Sequence, residues 1–305
     1  MAKSRYLFFP DHDDAGTRLD QFLFLSMKDL SRTVLRKVID LGGVHVGGRR
    51  LRRCSYPVKK GEKVEVFLDS GPLDAFSLSE KDIVFRDPYL LALAKPSGVE
   101  TQPTPARYRG TLYEALLRFL HNPYRPHDRP ELGMVQRLDR ETSGIMVFSI
   151  HPRAHRGLTG TFSERRVHKV YLALVAGCPE PKQGEFRSLL ARKRSTNLMT
   201  SVEKGGKEAI TRYRVVEGGA EASLVEVEIL TGRSHQIRVH FAEAGHPILG
   251  DTRYGGTRRL GEHEVPRQML HAWRLDFRHP VGEEKLELEA SPPEDMARLM
   301  RALGG

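Results

Sequence analysis

One carboxylate placed between two arginines gives this chain its clearest chemistry. Residues 136–144 read Gln-Arg-Leu-Asp-Arg-Glu-Thr-Ser-Gly, with Asp139 between Arg137 and Arg140, and an apolar, strand-like run follows at 145–148. Guanidinium groups favour the ionised form of a neighbouring carboxylate. Asp139 is therefore better suited to act as a nucleophile or base than as a proton donor. A surface turn with ordinary ion pairs explains the same residues, so the rest of the chain has to decide between the two interpretations.

A second candidate is Tyr171, the one aromatic residue in the strand-like run 168–175. Its ring can belong to the core with its hydroxyl hydrogen-bonded. It can also form a stacking platform for a nucleic-acid base, with the hydroxyl placed for acid or base chemistry. The strand alone leaves both interpretations open.

A third candidate segment, residues 231–240, reads Thr-Gly-Arg-Ser-His-Gln-Ile-Arg-Val-His and follows a strong strand pattern. A glycine turn and a polar run at a helix start are typical of anion binding, which makes Arg233, His235 and Gln236 candidate nucleic-acid contacts. Arg238 lies near the predicted helix start and could form a bidentate pair with Asp139. Phosphate positioning without catalysis is the alternative.

The sequence contains no pattern for a metal or a nucleotide cofactor. His235 and His240 are five residues apart and lack the carboxylate of a zinc-protease helix, so no metal site is expected. No phosphate-binding glycine loop occurs, and Ser143 lacks the elbow motif of hydrolases. The glycine-bounded segment 245–255 predicts a tightly turned loop.

Length and composition indicate a globular protein of about two domains. The chain has 305 residues, 39% of them hydrophobic and 29% charged. No apolar run approaches the roughly 20 residues that span a bilayer, and the apolar start is too short for a secretory signal. Two distant cysteines without a paired motif predict a cytoplasmic, reduced protein.

Positive charge is concentrated near the N-terminus. The formal net charge is +10, and residues 32–60 contain nine lysines and arginines against one acid, Asp40. A solvated basic face is one explanation, but concentration in one small module favours a nucleic-acid partner. The candidate contacts are Arg32, Arg49, Arg50, Arg52 and Arg53.

The order of periodic segments predicts an α+β fold. Residues 17–69 form a small α/β module of two helices and short strands, preceded by an extension, 1–16, and followed by a linker, 70–81. Residues 82–305 form a domain with a mixed, largely antiparallel sheet and a central cleft. Its predicted elements are strands at 83–86, 90–94, 207–217 and 222–230, a helix at 112–120, and a last helix opened by the capping box 291–294.

Taken in this order, the segments resemble the RluA-type pseudouridine synthase family over almost the whole chain. Residues 136–144 are similar to its catalytic signature, 169–173 to its tyrosine strand and 231–240 to its arginine motif. The N-terminal module is similar to the alpha-L RNA-binding module often fused ahead of that domain. Three further segments also fit the family pattern, at 95–98, 250–255 and 271–280.

The resemblance implies an isomerase that converts uridine to pseudouridine in RNA without a cofactor or metal. It implies that Asp139 is the catalytic aspartate, that Tyr171 packs against the target base and that Arg238 pairs with the aspartate. Arg137 corresponds to the arginine that displaces the base from its stack. Large-subunit ribosomal RNA is the expected substrate. Transfer RNA, or a non-catalytic role in RNA binding or ribosome assembly, is the alternative. The oligomeric state stays open, and a monomer is favoured because no segment resembles a dimer seam.

The chain departs from the family pattern at a few positions. Gln136 stands where the family has a histidine, Ala94 where it has an asparagine, and residues 100–103 replace a typical Val-His-Pro. These changes bear on substrate identity more than on the reaction. A covalent route through Asp139 and a route through a glycal-like species both stay open.

Overall fold

The chain folds into two compact units. The computed structural model describes residues 3–40, 42–69, 76–104, 110–125, 128, 130–193, 195–196 and 198–303. The first unit contains residues 1–78 and 100–119, and the second contains 79–99 and 120–305. Residues 70–75 of the predicted linker lie outside the described residues. The limits of the sequence-based domains stay a prediction.

The first unit combines three helices with a four-stranded antiparallel sheet, as far as its described residues show. The sheet order is β1-β4-β2-β3. The predicted cap of the second helix is present, because Ser31 Oγ accepts the Val34 N–H at 3.4 Å. The elements are β1 (Lys3–Phe8), α1 (Leu19–Ser26), α2 (Arg32–Asp40), β2 (Val44–Val46), β3 (Arg49–Leu51), β4 (Val64–Asp69) and α3 (Leu112–Phe119).

The second unit is built on an eleven-stranded sheet, counted over its described residues. Its strands are β5 (Ile83–Arg86), β6 (Leu90–Lys95), β7 (Gly133–Met134), β8 (Ser143–Ser149), β9 (His168–Ala176), β10 (Gln183–Lys193), β11 (Leu198–Val202), β12 (Lys207–Gly218), β13 (Ala222–Ile229), β16 (Leu270–Arg278) and β17 (Lys285–Glu289). A separate hairpin pairs β14 (Arg259–Leu260) with β15 (His263–Glu264). The helices are α4 (Pro152–Ser163), α5 (Gln236–Glu243) and α6 (Glu294–Leu303), and a 3-10 turn lies at Glu80–Asp82.

The main sheet has the order β11-β10-β12-β13-β9-β16-β8-β6-β5, with β17 beside β16 and β7 beside β8. Its pairings are antiparallel except for β8 with β16, where Ser143 lies opposite His271. The predicted α+β class, with a mixed and largely antiparallel sheet, is therefore confirmed. The two strands that run in parallel begin beside the segment that carries Asp139.

Strand β13 shows why the sheet forms as its sequence predicts. Val225 and Val227 are fully buried, while Glu226 and Glu228 on the other face form ion pairs with arginines of β12. Burial on one face and charge on the other fix the register of an antiparallel strand. Phe241 of α5 joins the same buried core, which holds that helix against the sheet.

The helices of the described part are short, and α4, with 12 residues, is the longest of them. None is long and apolar enough to cross a bilayer. The last helix begins at Glu294, after the two prolines of its predicted capping box. At its start, the Met296 N–H donates a hydrogen bond to the Pro293 carbonyl. Met296 and Leu299 are completely buried in the main core, so α6 closes the sheet that supports the site.

Candidate active site

Asp139 lies in the loop that leads into β8. The backbone turns there, with the Thr142 N–H bonded to the Asp139 carbonyl at 3.1 Å. The side chain of Asp139 is 31% exposed, so its carboxylate is accessible from one side.

A buried lysine holds the start of this loop. Lys95, at the end of β6, is 1% exposed, and its Nζ donates to the carbonyls of Pro96, Val99 and Arg140 at 2.7, 2.8 and 3.0 Å. The Arg140 carbonyl also accepts the Gly98 N–H, and Arg140 Nε donates to the Gly98 carbonyl, both at 2.9 Å. Charge-assisted bonds to three carbonyls tie the segment after β6 to the residue that follows Asp139.

A second buried cation holds the other end of the loop. Arg267 Nη1 donates to the Glu141 carbonyl at 3.1 Å, and its Nε and Nη2 form a bidentate pair with Asp295 of α6 at 2.6 and 2.8 Å. The neighbouring Gln268 donates from Nε2 to Thr142 Oγ1 at 2.6 Å. The loop is therefore fixed residue by residue on both sides of its carboxylate.

Gly144 allows β8 and β16 to approach each other. Its φ is +123°, and a Cβ built there would lie 2.1 Å from the Ala272 carbonyl oxygen. Only glycine accommodates that close contact and that dihedral. The glycine that ends the 136–144 motif thus sets the position of the strand that follows Asp139.

Arg238 joins the exposed carboxylate to a buried one. Its Nη1 donates to Asp139 Oδ2 at 2.7 Å, while Nε and Nη2 donate to the two oxygens of Asp251 at 2.6 and 2.8 Å. Arg238 and Asp251 are 5% and 2% exposed. Burial alone would lower the pKa of Arg238, but its bonds to the two aspartates more than offset this and raise it. The guanidinium is a fixed positive charge, and it uses separate nitrogens for the two carboxylates.

Within the described part of the chain, both contacts of the Asp139 carboxylate use the same oxygen. Arg238 binds Oδ2, and His235 Nε2 lies 3.9 Å from it. No described residue hydrogen-bonds to Oδ1. Oδ1 is therefore left without a donor from these residues, on a side chain that is 31% exposed.

Tyr254 supports Arg238 and His235 together. The Arg238 guanidinium lies over the Tyr254 ring at 4.9 Å from its centroid. The Tyr254 hydroxyl accepts the Met199 N–H at 3.0 Å and lies 2.7 Å from His235 Nδ1. Tyr254 therefore holds the His235 ring through Nδ1, and this leaves Nε2 facing Asp139 Oδ2 at 3.9 Å.

His235 is held neutral in an unusual backbone conformation. It precedes α5 with φ 54° and ψ 20°, in the left-handed region. Burial lowers the pKa of His235 to about 4, against the opposing effect of Asp139. An uncharged imidazole therefore lies beside the Asp139 carboxylate near neutral pH.

Tyr171 lies on β9, opposite Ala272 of β16 on one side and Val227 of β13 on the other. Burial raises the pKa of Tyr171, and the nearby Asp139 carboxylate adds to this. Its hydroxyl therefore stays protonated at neutral pH and cannot act as a base. The ring is half-buried, which leaves part of its surface for a ligand.

The other residues predicted in the arginine motif divide into two kinds. Gln236 is 3% exposed, and its amide is fully used: Oε1 accepts bonds from Thr231 Oγ1 and the Arg233 N–H, and Nε2 donates to the Ile210 carbonyl and Thr211 Oγ1. It stabilises the turn before α5 and presents nothing to a ligand. Arg233 is half-buried and donates from Nε to the Glu208 carbonyl at 2.8 Å.

Gln136 and Arg137 precede Asp139 in its loop. Gln136 donates from Nε2 to the Ile145 carbonyl at 3.4 Å, which ties the start of the motif to β8. A neutral histidine could donate to the same carbonyl, so this contact does not need a titrating group. Arg137 is exposed.

The predicted basic contacts of the N-terminal module all lie in the first unit. Arg49 and Arg50 are in β3, and both are exposed, as are Arg52 and Arg53 after it. Arg53 lies over the Tyr56 ring at 5.9 Å. Arg32 begins α2, and its guanidinium contacts the buried carboxylate of Asp20.

Comparison with known proteins agrees with this geometry. A sequence model of the family described as RNA pseudouridylate synthase matches residues 89–243, about half of the chain, and the S4 domain model matches residues 17–64. A ribosomal large subunit pseudouridine synthase D from Nitrosomonas europaea is 35% identical to this chain, covering 95% of it and 85% of the relative. This chain belongs to the RluA-type pseudouridine synthase family.

Further relatives match this pseudouridine synthase over most of its length. A ribosomal large subunit pseudouridine synthase C from Vibrio cholerae is 35% identical over 92% of this chain and 91% of the relative. The solved structure titled human RNA pseudouridylate synthase domain containing 4 covers 73% of this chain and 93% of its own, at 23% identity and a TM-score of 0.60. That likeness supports the fold. The synthase is thus an isomerase with an S4 domain ahead of its catalytic domain.

Sequence reasoning missed several residues that organise the site of the synthase. Asp251 and Tyr254 lie in a segment that was interpreted as a tight loop, and Arg267 was not singled out. Lys95 was noted as part of a motif without a role. A signal was present for two of them, since Asp251 and Tyr254 are the anion and the aromatic side chain within the glycine-bounded segment 250–255.

Proposed function

We propose that this synthase isomerises a uridine of large-subunit ribosomal RNA, with Asp139 as the group that acts on the nucleoside. The observation that carries the proposal is the chain from Asp139 through Arg238 to the buried Asp251. It holds the Asp139 carboxylate in one orientation through Oδ2, with Oδ1 left for a ligand. The ribosomal target is supported by the names of the relatives from Nitrosomonas europaea and Vibrio cholerae.

The reaction has to break the bond from C1′ to N1, turn the uracil and bond C1′ to C5. C5 then loses a proton and N1 gains one, so no atom or electron is supplied from outside. Asp139 Oδ1 can attack the nucleoside or take a sugar proton, and both routes need the ionised carboxylate. Arg238 cannot deprotonate, so its role is to hold Oδ2 and the charge.

The other side chains act on the base and the sugar. The Tyr171 ring offers an apolar face for the uracil, and its protonated hydroxyl offers a donor. His235 Nε2 lies 3.9 Å from Oδ2 of the carboxylate, where it can form a hydrogen bond with a polar group of the bound nucleotide. Arg137 is exposed ahead of the loop and enters the space that the flipped base leaves in the RNA stack.

The experiment compares Asp139→Ala and Asp139→Asn with Glu141→Gln. Glu141 is a matched control, because it is a carboxylate two residues further along the same loop and its side chain is 43% exposed. RNA from cells that lack the enzyme is incubated with each protein, and pseudouridine is mapped across ribosomal and transfer RNA. We expect a ribosomal site with the wild type and Glu141→Gln, and none with either Asp139 variant.

Three results would count against the proposal. Modification by Asp139→Asn at the wild-type rate would remove the role of the carboxylate. Modification confined to transfer RNA would overturn the ribosomal substrate. The absence of new pseudouridine in any RNA would support the non-catalytic alternative.

A further inference from the structure

Two exposed arginines from separate segments lie near His235 in the second unit. Arg192 is the residue before the last of β10, and Arg253 belongs to the glycine-bounded segment 250–255. Neither takes part in the reaction steps described for Asp139. Packing and hydrogen bonds around Tyr254 bring both to the candidate active site.

Strand β10 presents Arg192 on the face that packs against α5. Leu190 and Val239 belong to one buried cluster, and the Val239 N–H bonds to the His235 carbonyl at 2.9 Å, one helical turn away. Alternate residues of a strand share a face, so Arg192 follows Leu190 on that face. The side chain of Arg192 therefore lies on the same side of the sheet as His235.

The Tyr254 hydroxyl connects the strand pair that carries Arg192 to the imidazole. Arg192 lies opposite Met199 of the edge strand β11, and the Met199 N–H bonds to the Tyr254 hydroxyl at 3.0 Å. The same hydroxyl lies 2.7 Å from His235 Nδ1. One oxygen atom therefore links this end of the strand pair to the ring that lies beside Asp139.

Arg253 approaches His235 from the other segment. It precedes Tyr254 in a turn that is closed by a bond of 3.0 Å from the Tyr254 N–H to the Asp251 carbonyl. Burial is the largest cause that lowers the pKa of His235, and the nearby charges of Arg253 and Arg192 lower it further. Arg253 is exposed and forms no ion pair with any residue that the structure describes. Its N–H donors are therefore available to a ligand.

The two arginines are held apart by the Tyr254 side chain. Arg253 adjoins the backbone end of this tyrosine, and Arg192 lies across Met199 from its hydroxyl end. They are thus suited to two neighbouring anions rather than to one. In the proposed reaction, the sugar whose C1′ reaches Asp139 has a phosphate on each side, and the carboxylate repels both.

We propose that Arg192 and Arg253 bind the two phosphates on either side of the target uridine, each arginine holding one of them. The inference rests on the proposed function, and it adds two substrate-binding residues to that site. A planar guanidinium matches a phosphate with two parallel N–H bonds. Holding both phosphates offsets their repulsion by Asp139 and keeps the backbone in the shape that extrudes the base.

The test compares variants that lose the same charge. Arg192→Gln and Arg253→Gln are measured beside Arg187→Gln, which lies five residues before Arg192 on the other face of β10. Arg187 is a matched control, because its guanidinium is already paired with Glu185 and Glu208, each at 3.1 Å. The dissociation constant for a large-subunit ribosomal RNA transcript is measured over a range of salt concentrations, and thermal unfolding checks that each variant is folded.

We expect Arg192→Gln and Arg253→Gln each to reduce the slope of the salt dependence by about 0.7, the value of one single-strand phosphate contact. This corresponds to about fourfold weaker binding at about 0.15 M salt, for proteins that bind equally at about 1 M. The double variant should lose about 1.4, because contacts to separate phosphates add. Arg253→Lys should regain the slope, since it restores the charge, and Arg187→Gln should leave it unchanged.

Two kinds of result would overturn the proposal. An equal loss of slope in Arg187→Gln would mean that net charge alone explains the binding. An unchanged slope in folded Arg192→Gln or Arg253→Gln, or a double variant that loses only one contact, would exclude two separate phosphates.

A neutral methylphosphonate locates the contacts once the modified uridine is mapped. Placed at one phosphate beside that uridine, it should abolish the effect of one arginine variant and leave the effect of the other. If both variants kept their full effect with either phosphate neutralised, the contacts would lie elsewhere and the proposal would be wrong.

All proteins in the binding measurements are full-length chains that carry Asp139→Ala, so that binding is measured apart from modification. Reduced slopes together with a wild type that forms no pseudouridine would refute the proposed function and support the phosphate contacts. Unchanged slopes together with normal modification would do the reverse. The failure of the proposed function and the failure of this inference are thus separate results.

Discussion

Replacing Asp251 by asparagine tests whether this buried carboxylate positions Asp139 for its proposed role. Asp251 is 2% exposed, and its oxygens accept from Arg238 Nε and Nη2 at 2.6 and 2.8 Å. Asparagine keeps the shape and one acceptor, but its amide group places donors against an arginine donor. Asp139 is then left as the sole anion bonded to that guanidinium among the described residues.

The cost can be worked from the bonds that are lost. One charge-assisted hydrogen bond contributes about 1.5–3 kcal/mol, and breaking a buried pair costs about 3–5 kcal/mol. Because asparagine retains one bond, we expect a loss of about 2–4 kcal/mol in the free energy of unfolding. If half of that is lost in the transition state, the single-turnover rate falls about 5- to 30-fold, at about 1.4 kcal/mol for each factor of ten.

The assay measures single-turnover pseudouridine formation at saturating enzyme, with RNA affinity and thermal unfolding in parallel. Asp251 does not face a ligand, so the affinity for RNA should stay within about twofold of the wild type. Asp251→Glu is the partner variant, because it restores the charge with one extra methylene and should recover part of the rate. A folded Asp251→Asn enzyme with the full wild-type rate would refute the positioning role.

Three further predictions concern other parts of the molecule. Because burial lowers the pKa of His235 from 6.5 to about 4, the unfolded chain binds more protons than the folded one between these pH values, and stability falls as the pH drops through that range. His235→Asn should therefore flatten the dependence of the unfolding free energy on pH by up to about 1.4 kcal/mol per pH unit. An unchanged slope would contradict this. Gly144→Ala should destabilise the fold by about 3 kcal/mol or more, because the new Cβ would meet the Ala272 carbonyl. The control is Gly205→Ala, where φ is +75° and a Cβ would have nothing within 4 Å; it should cost only about 1–2 kcal/mol in chemical denaturation. Equal losses would disprove the close-contact argument. The last prediction concerns four exposed arginines of the N-terminal module, Arg49, Arg50, Arg52 and Arg53. Neutralising them together should weaken RNA binding and reduce the slope of its salt dependence by about 0.7–0.9 log units for each lost phosphate contact. An unchanged slope would mean that these arginines have another role.

The elements of the fold could be predicted because their signals are local. Strand β13 alternates valine with glutamate, and α2 has a serine cap, apolar positions one turn apart and a glycine end. The predicted contact between Arg238 and Asp139 is also present, at 2.7 Å. Its catalytic use stays a prediction.

The residues that hold the site together could not be predicted from the sequence. Their partners are backbone groups, or lie far away in the chain. Lys95 and Arg267 bind backbone carbonyls, and every residue has such a group, so no residue type marks the partner. Gln236 was interpreted as a nucleic-acid contact from its place in a polar run. Two of its four bonds go to Ile210 and Thr211 of β12, 26 and 25 residues earlier in the chain, and pattern alone cannot show that.

The pairing of Arg238 with two aspartates has a consequence for how the enzyme loses activity. Its partners are 99 and 13 residues away in the chain. The Asp139 carboxylate is therefore oriented only after separate segments have all docked, and any one of them can release it. Local opening near Asp251 would abolish turnover while the sheet is still intact. In rising denaturant, inactivation should precede the loss of circular dichroism, and the interval measures how much weaker this junction is than the core.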